Sequence, residues 1–139
     1  MIDTKEYRKR YYKDNKSKII LNSIEWQKRN SERTIHSRLK YAAKIRGITF
    51  NLDKDEFVTW FKSQNKICCY CNIKLKMNRG KLNHNNLYSI DRMDNNKGYE
   101  LNNICLSCFL CNRIKSKHFD YNEMLQIGNT IKRINKNRL

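Results

Sequence analysis

Two cysteine clusters constrain this chain more than any other feature. Cys68-Cys69-Tyr70-Cys71 holds one C-x2-C pair, Cys68 with Cys71, while Cys105, Cys108 and Cys111 offer two overlapping pairs of that spacing. A C-x2-C turn places two thiolates about an ion's width apart, and two such turns complete a tetrahedral site. Cys105 fits an alternating strand, and Asn112 onward reads as a helix start, so the second pair is read as Cys108 with Cys111. The expectation is a structural Zn²⁺ held by Cys68, Cys71, Cys108 and Cys111, with no open position for chemistry. Cys69 is left as a neighbouring thiol pointing elsewhere. Thirty-six residues separate Cys71 from Cys108, against roughly 15–20 in a common zinc ribbon. Something sizeable is therefore inserted between the knuckles.

Charge narrows the class of partner. Thirty Lys and Arg stand against thirteen Asp and Glu in 139 residues, a net charge of +17. Such a field attracts polyanions and repels itself when none is bound, which points to DNA, duplex first, with RNA as the alternative. The excess is even: residues 1–47 carry fourteen basic and five acidic side chains, and residues 48–139 carry sixteen and eight. No apolar run is long enough to span a membrane, and the N-terminal stretch has no apolar signal-peptide core. An intracellular protein is expected, in which the six cysteines act as thiols and metal ligands rather than disulfides.

Proline is absent and glycine occurs four times, so long helices meet few breakers. From Lys5 to about Asn30 the chain is basic and dotted with aromatics, too sparsely apolar to bury itself; it reads as one or two helices leaning on something else. Ser31 is the expected N-cap of a helix through Arg46 that presents Ile35, Leu39 and Ala42 or Ala43, with Gly47 as its left-handed terminator. Asp53 to Glu56 resembles a capping box for a helix facing the core with Phe57, Trp60 and Phe61. Turn signals at 78–80, 85–86 and 95–98 bracket two short strands, Leu87–Ile90 and Asn103–Leu106. A last helix starts near Asp120, with Glu123 three residues on, and runs through Met124, Ile127, Ile131 and Ile134. Two units follow: a basic helical nucleic-acid-binding arm at 1–47 and a zinc-stabilised domain at 48–139.

Between and after the knuckles the chain reads Tyr88-Ser89-Ile90-Asp91-Arg92, then Asn95-Asn96-Lys97-Gly98-Tyr99, Asn102-Asn103-Ile104 and Cys108-Phe109-Leu110-Cys111-Asn112-Arg113-Ile114-Lys115. Here it resembles the HNH endonucleases (ββα-metal, His-Me finger), in the branch with an Ile-Asp-Arg segment, a Gly-Tyr turn and a C-x2-C-N-x2-K ending, as in small phage proteins. The resemblance is specific over Cys68–Lys117. It implies an α+β fold: a ββα-metal core clamped by a four-cysteine zinc site, with a mainly helical basic N-terminal arm and a C-terminal helix. It also implies a DNA endonuclease hydrolysing phosphodiester bonds with Mg²⁺ or Mn²⁺, of the restriction, homing or phage-type nicking kind.

By that resemblance Asp91, ending the first strand, and Asn112, starting the helix, hold the catalytic ion; a carboxylate and an amide oxygen are hard ligands suited to Mg²⁺. The bland role for Asp91 is a turn cap. Arg92 stands where the family has its histidine base. A guanidinium keeps its proton, so Arg92 is expected to clamp phosphate instead. Either the water is then activated by another group or the nucleophile is different; the candidates are His84, Asp94, His118 and a tyrosine (Tyr70, Tyr88 or Tyr99), His84 leading the histidines by lying in the loop before the first strand. Lys97, Arg113, Lys115 and Lys117 are expected on phosphates, and Arg8, Lys9 and Arg10 on the backbone from the arm. A homodimer suits a double-strand cutter and a monomer a nickase. The competing class is a zinc-containing nucleic-acid-binding protein, ribosomal or chromatin-like, that has lost cleavage.

Overall fold

The computed structural model describes residues 4–77 and 85–137. His84 and the turn signal at 78–80 lie outside the described residues. Helix α1 spans Thr4–Arg29 and α2 spans Ser31–Ile45, separated by Asn30 alone. Asn30, not Ser31, is the N-cap of α2, and its side chain turns back to donate to the Trp26 carbonyl instead of capping. That bond explains the difference: α2 follows on from the last turn of α1 and leaves little room for a free cap.

Helix α1 buries no residue, whereas α2 buries His36 and Ala43. His36 lies between Phe50 and Phe57, ring centroids 5.2 and 5.5 Å away. Its Nε2 donates to the Leu52 carbonyl at 2.9 Å. Helix α3, Lys54–Ser63, is opened by Asp53, whose carboxylate accepts from the backbone N–H groups of Asp55 and Glu56. Its Phe57 and Phe61 are buried and Trp60 partly so, as their spacing requires.

The chain then makes a two-stranded antiparallel hairpin, β1 (Tyr88–Arg92) with β2 (Ile104–Cys108), in which Asp91 faces Cys105 and Tyr88 faces Cys108. Both strands sit one or two residues further along than their alternation suggests. All five residues of β2 are buried, so it is a two-sided core strand with no polar face to mark its ends. Helix α4, Phe109–Lys115, begins three residues before the expected Asn112, because the Cys108 thiol is itself the N-cap and accepts from Cys111 N–H. Helix α5, Tyr121–Lys136, opens with the expected reciprocal capping box of Asp120 and Glu123 and buries Met124 and Gly128. A Cβ on Gly128 would collide with the Tyr70 carbonyl, so only glycine lets α5 approach the first cysteine turn so closely. No helix among the described residues is long and apolar enough to cross a membrane.

Candidate metal centre and nucleic-acid cleft

The first cysteine turn closes through Cys68 N–H to Ile73 and Asn72 N–H to Cys68, with Asn72 in the left-handed region at φ 58°. Cys69 N–H donates to Leu106 on β2 at 2.9 Å, which fastens this turn to the hairpin. The second turn is the end of β2 running into α4. Together they bring the sulfurs of Cys68, Cys71, Cys108 and Cys111, all buried, within 4.8 Å of one another. Sulfurs about 2.3 Å from a central zinc would lie about 3.8 Å apart at tetrahedral corners, and Cys71 and Cys108 are separated by 3.8 Å. The set therefore fits a tetrahedral thiophilic ion such as zinc.

The thiols also pull against one another. Cys68 is held well below the usual thiol range by hydrogen bonds from Cys108 and Cys111, while Cys111 is pushed up, chiefly by its contact with Cys108. A metal that takes four thiolates resolves that competition. Cys69 and Cys105 stay outside the cluster and pair with each other at 3.0 Å.

Beside the cluster, α4 packs across one face of β1. Asn112 donates its amide to Ser89 Oγ at 2.5 Å. Two residues further along the same strand face, Asp91 is buried, accepting from Tyr70 Oη at 2.6 Å and lying 3.4 Å from Lys115 Nζ. Burial pushes the Asp91 carboxyl above its ordinary value, and the Tyr70 hydrogen bond and the Lys115 charge pull it back. Lys115, expected on phosphate, is instead fully buried and donates to the Arg92 carbonyl at 2.7 Å and Asn95 Oδ1 at 2.9 Å. The reason is helical phase: three residues after Asn112, Lys115 shares the face that packs on β1, where it neutralises Asp91 and braces the turn beyond.

That turn is built by residues the motif names for other work. Arg92 Nη1 donates to the carbonyls of Asn95 and Lys97, and its guanidinium lies over the Tyr99 ring at 5.5 Å. So this nitrogen, expected to clamp phosphate, holds the turn in shape. Asp94 Oδ1 accepts from Asn96 N–H, so the turn-capping role considered for Asp91 belongs to Asp94. Asn103, not singled out from the sequence, is buried and accepts from Asp94 N–H while donating to the Asp94 and Gly98 carbonyls. Its signal in the sequence is the Asn102-Asn103-Ile104 segment, which carries the family resemblance without stating this role.

A cleft of about 750 Å³ opens between α2 and the hairpin. Ile35, Arg38, Leu39 and Arg46 form one wall, and Tyr88, Ser89, Ile90, Tyr99 and Asn112 line the other. Among the sequence candidates it gathers Asn112, Tyr88 and Tyr99. Asp91 and Tyr70 lie behind it in the core, and Asp94, Lys117 and His118 line a separate concavity of about 510 Å³. Arg113, Lys97, Arg8, Lys9 and Arg10 are exposed elsewhere.

A metal-ready ββα unit closed by four cysteines, with an asparagine following the last of them at a basic cleft, defines a class of nucleic-acid enzyme. The solved structure of the rare-cutting HNH restriction endonuclease PacI is similar at TM-score 0.64 and 30% identity, over 77% of this chain and 81% of that one. The chain belongs to the HNH endonuclease family. Over 81 residues it is also 36% identical to the uncharacterised protein R423 of Acanthamoeba polyphaga mimivirus; the match covers 58% of this chain but spans only 13% of that protein's length. No family model matches the sequence.

Proposed function

We propose that this protein is a divalent-metal-dependent DNA endonuclease that hydrolyses phosphodiester bonds, in restriction, homing or phage-type nicking, with a structural Zn²⁺ at Cys68, Cys71, Cys108 and Cys111. The observation that carries the reading is Asn112: on a fold shared with an HNH restriction enzyme, it follows the last cysteine of the cluster and opens onto the cleft. Bound Mg²⁺ or Mn²⁺ supplies Lewis-acid polarisation of the phosphate and stabilises the leaving oxygen. Asn112 lines that space and carries a hard amide oxygen suited to such an ion. Asp91 belongs to the same site only when its ion pair with Lys115 gives way, because a carboxylate shared with an ammonium ion is poorly placed to hold a second cation. Tyr88 and Tyr99 are the cleft's own phenols for handling the nucleophile's proton. Residues 1–47 grip the DNA backbone through Arg8, Lys9 and Arg10, residues 48–139 carry the chemistry, and a homodimer would serve double-strand cutting.

Supercoiled plasmid incubated with the zinc-loaded protein and Mg²⁺ or Mn²⁺ tests this directly. Nicked or linear product that disappears in Asn112→Ala, with zinc content kept, is the expected result. A second reading, a zinc-containing nucleic-acid-binding protein without cleavage, is favoured by the Asp91–Lys115 pair and by the commitment of Arg92 to turn carbonyls. Tight binding with no cut under any divalent ion would select it.

A further inference from the structure

Arg46 is an exposed arginine that the fold nonetheless holds still. Helix α2 ends at Ile45, Gly47 turns the chain at φ 65°, and the next residues run alongside Tyr99. Two backbone bonds make that junction, Tyr99 N–H to Thr49 and Asn51 N–H to Tyr99. It is tight enough that a Cβ on Gly98 would collide with the Thr49 carbonyl. Arg46 is thereby delivered to the cleft. Its Nε donates to the Ala42 carbonyl at 3.1 Å and its Nη2 to Tyr99 Oη at 2.8 Å. A guanidinium has five N–H donors in a rigid fork, so the rest stay available while two fix its direction.

We propose that the cleft between α2 and the hairpin seats the phosphodiester backbone of DNA, with Arg46 as a preoriented phosphate donor and Arg38 as a second cation on the same wall. Three observations converge on that occupant. The described lining contains two arginines and no acidic side chain, in a chain of net charge +17. Asn112 and Ser89 face the same space from the opposite wall. Ile35 and Leu39 on the α2 wall and Ile90 on the opposite one add apolar surface suited to deoxyribose. A fork already fixed in direction loses little side-chain freedom on binding, so its remaining donors favour bidentate contact with a phosphate. Both arginines lie outside the stretch that carries the HNH resemblance, so phosphate binding would be contributed by the segment before the metal knuckles.

The inference takes its ligand class from the reading above, but its test needs no cleavage. Binding of the zinc-loaded protein to a short mixed-sequence duplex is measured over a salt series without added divalent ion. Each phosphate contact contributes about 0.9 to the slope of log K against log salt. Arg46→Gln and Arg38→Gln should each lower that slope by about one contact and weaken binding about tenfold at low salt. Arg46→Lys should keep the slope and recover part of the affinity. Tyr99→Phe, which removes the oxygen steering Arg46 without removing charge, should weaken binding at unchanged slope. Zinc content and melting temperature, unchanged in each variant, separate these effects from misfolding. Wild-type slopes in both glutamine variants, or no binding of wild type to duplex, would overturn the proposal. Arg46-dependent binding without any cutting supports it and sinks only the nuclease reading; cutting by Arg46→Gln at the wild-type slope sinks only the cleft.

Discussion

Helix α1 and the cysteine-tied body are both basic and both carry aromatics, yet one buries nothing and the other builds a core. In α1, Tyr7, Tyr11, Ile20, Leu21, Ile24 and Trp26 are all exposed. They are scattered around the helix, so no single face can be covered. In the body, Phe57, Phe61, Met124 and Leu106 pack with the cysteines in one cluster. The lesson is that the number of apolar side chains matters less than whether spacing aims them together and whether something holds the elements that carry them. Here the elements that carry them converge on four buried sulfurs placed to hold one metal ion.

The strongest way to break that comparison is to take the metal away. Chelation, or Cys111→Ser, should abolish the cooperative melt of the body, since structural zinc contributes on the order of 10 kcal/mol to small metal-dependent folds. Calorimetry with metal analysis reads it; a metal-free body that melts as before would show that the cluster is ornamental to stability.

Next comes the buried pair. Asp91→Ala leaves Lys115 uncompensated in the interior and should destabilise by about 3–5 kcal/mol in urea unfolding, while Asp91→Ala with Lys115→Met should recover most of that loss. Cleavage lost in Asp91→Ala would therefore report the unpaired Lys115 as much as any lost metal ligand. Phe57→Ala should likewise cost about 3–5 kcal/mol, whereas Trp26→Ala in the arm should stay within about 0.5 kcal/mol. A large loss at Trp26 would mean that α1 is packed in solution. Smallest in stability should be removal of residues 1–29, since α1 buries no residue. The melting temperature should barely move while the salt slope of DNA binding falls by several contacts.

Much of this architecture is legible in the amino-acid sequence. The choice of Cys68, Cys71, Cys108 and Cys111 follows from local signals, turn spacing for the first pair and, for the second, the strand alternation at Cys105 and the helix start at Asn112, and the four sulfurs meet as that choice requires. The Asp120–Glu123 box and the Gly47 terminator are local too. Direction across elements is another matter. Nothing in Asn112-Arg113-Ile114-Lys115 says which side of α4 meets β1, so Lys115 reads as a surface cation until the helix is packed. Nor does a motif disclose that Arg46 reaches Tyr99, 53 residues later, because that contact exists only once the segment after α2 has paired beside the turn. Asp91 and Asn112 share a motif, but they lie on two sides of the packed interface between strand and helix.

Cys111 and Asn112 are consecutive residues of α4, and this sets a schedule as well as a geometry. On the ribosome the first knuckle emerges 36 residues ahead of the second. Until Cys108 and Cys111 follow, β2 is incomplete, α4 has no cap, and the amide that faces the cleft has no fixed bearing. A nascent chain halted between the knuckles already carries the fourteen Lys and Arg of residues 1–47 but only one of the two cysteine turns.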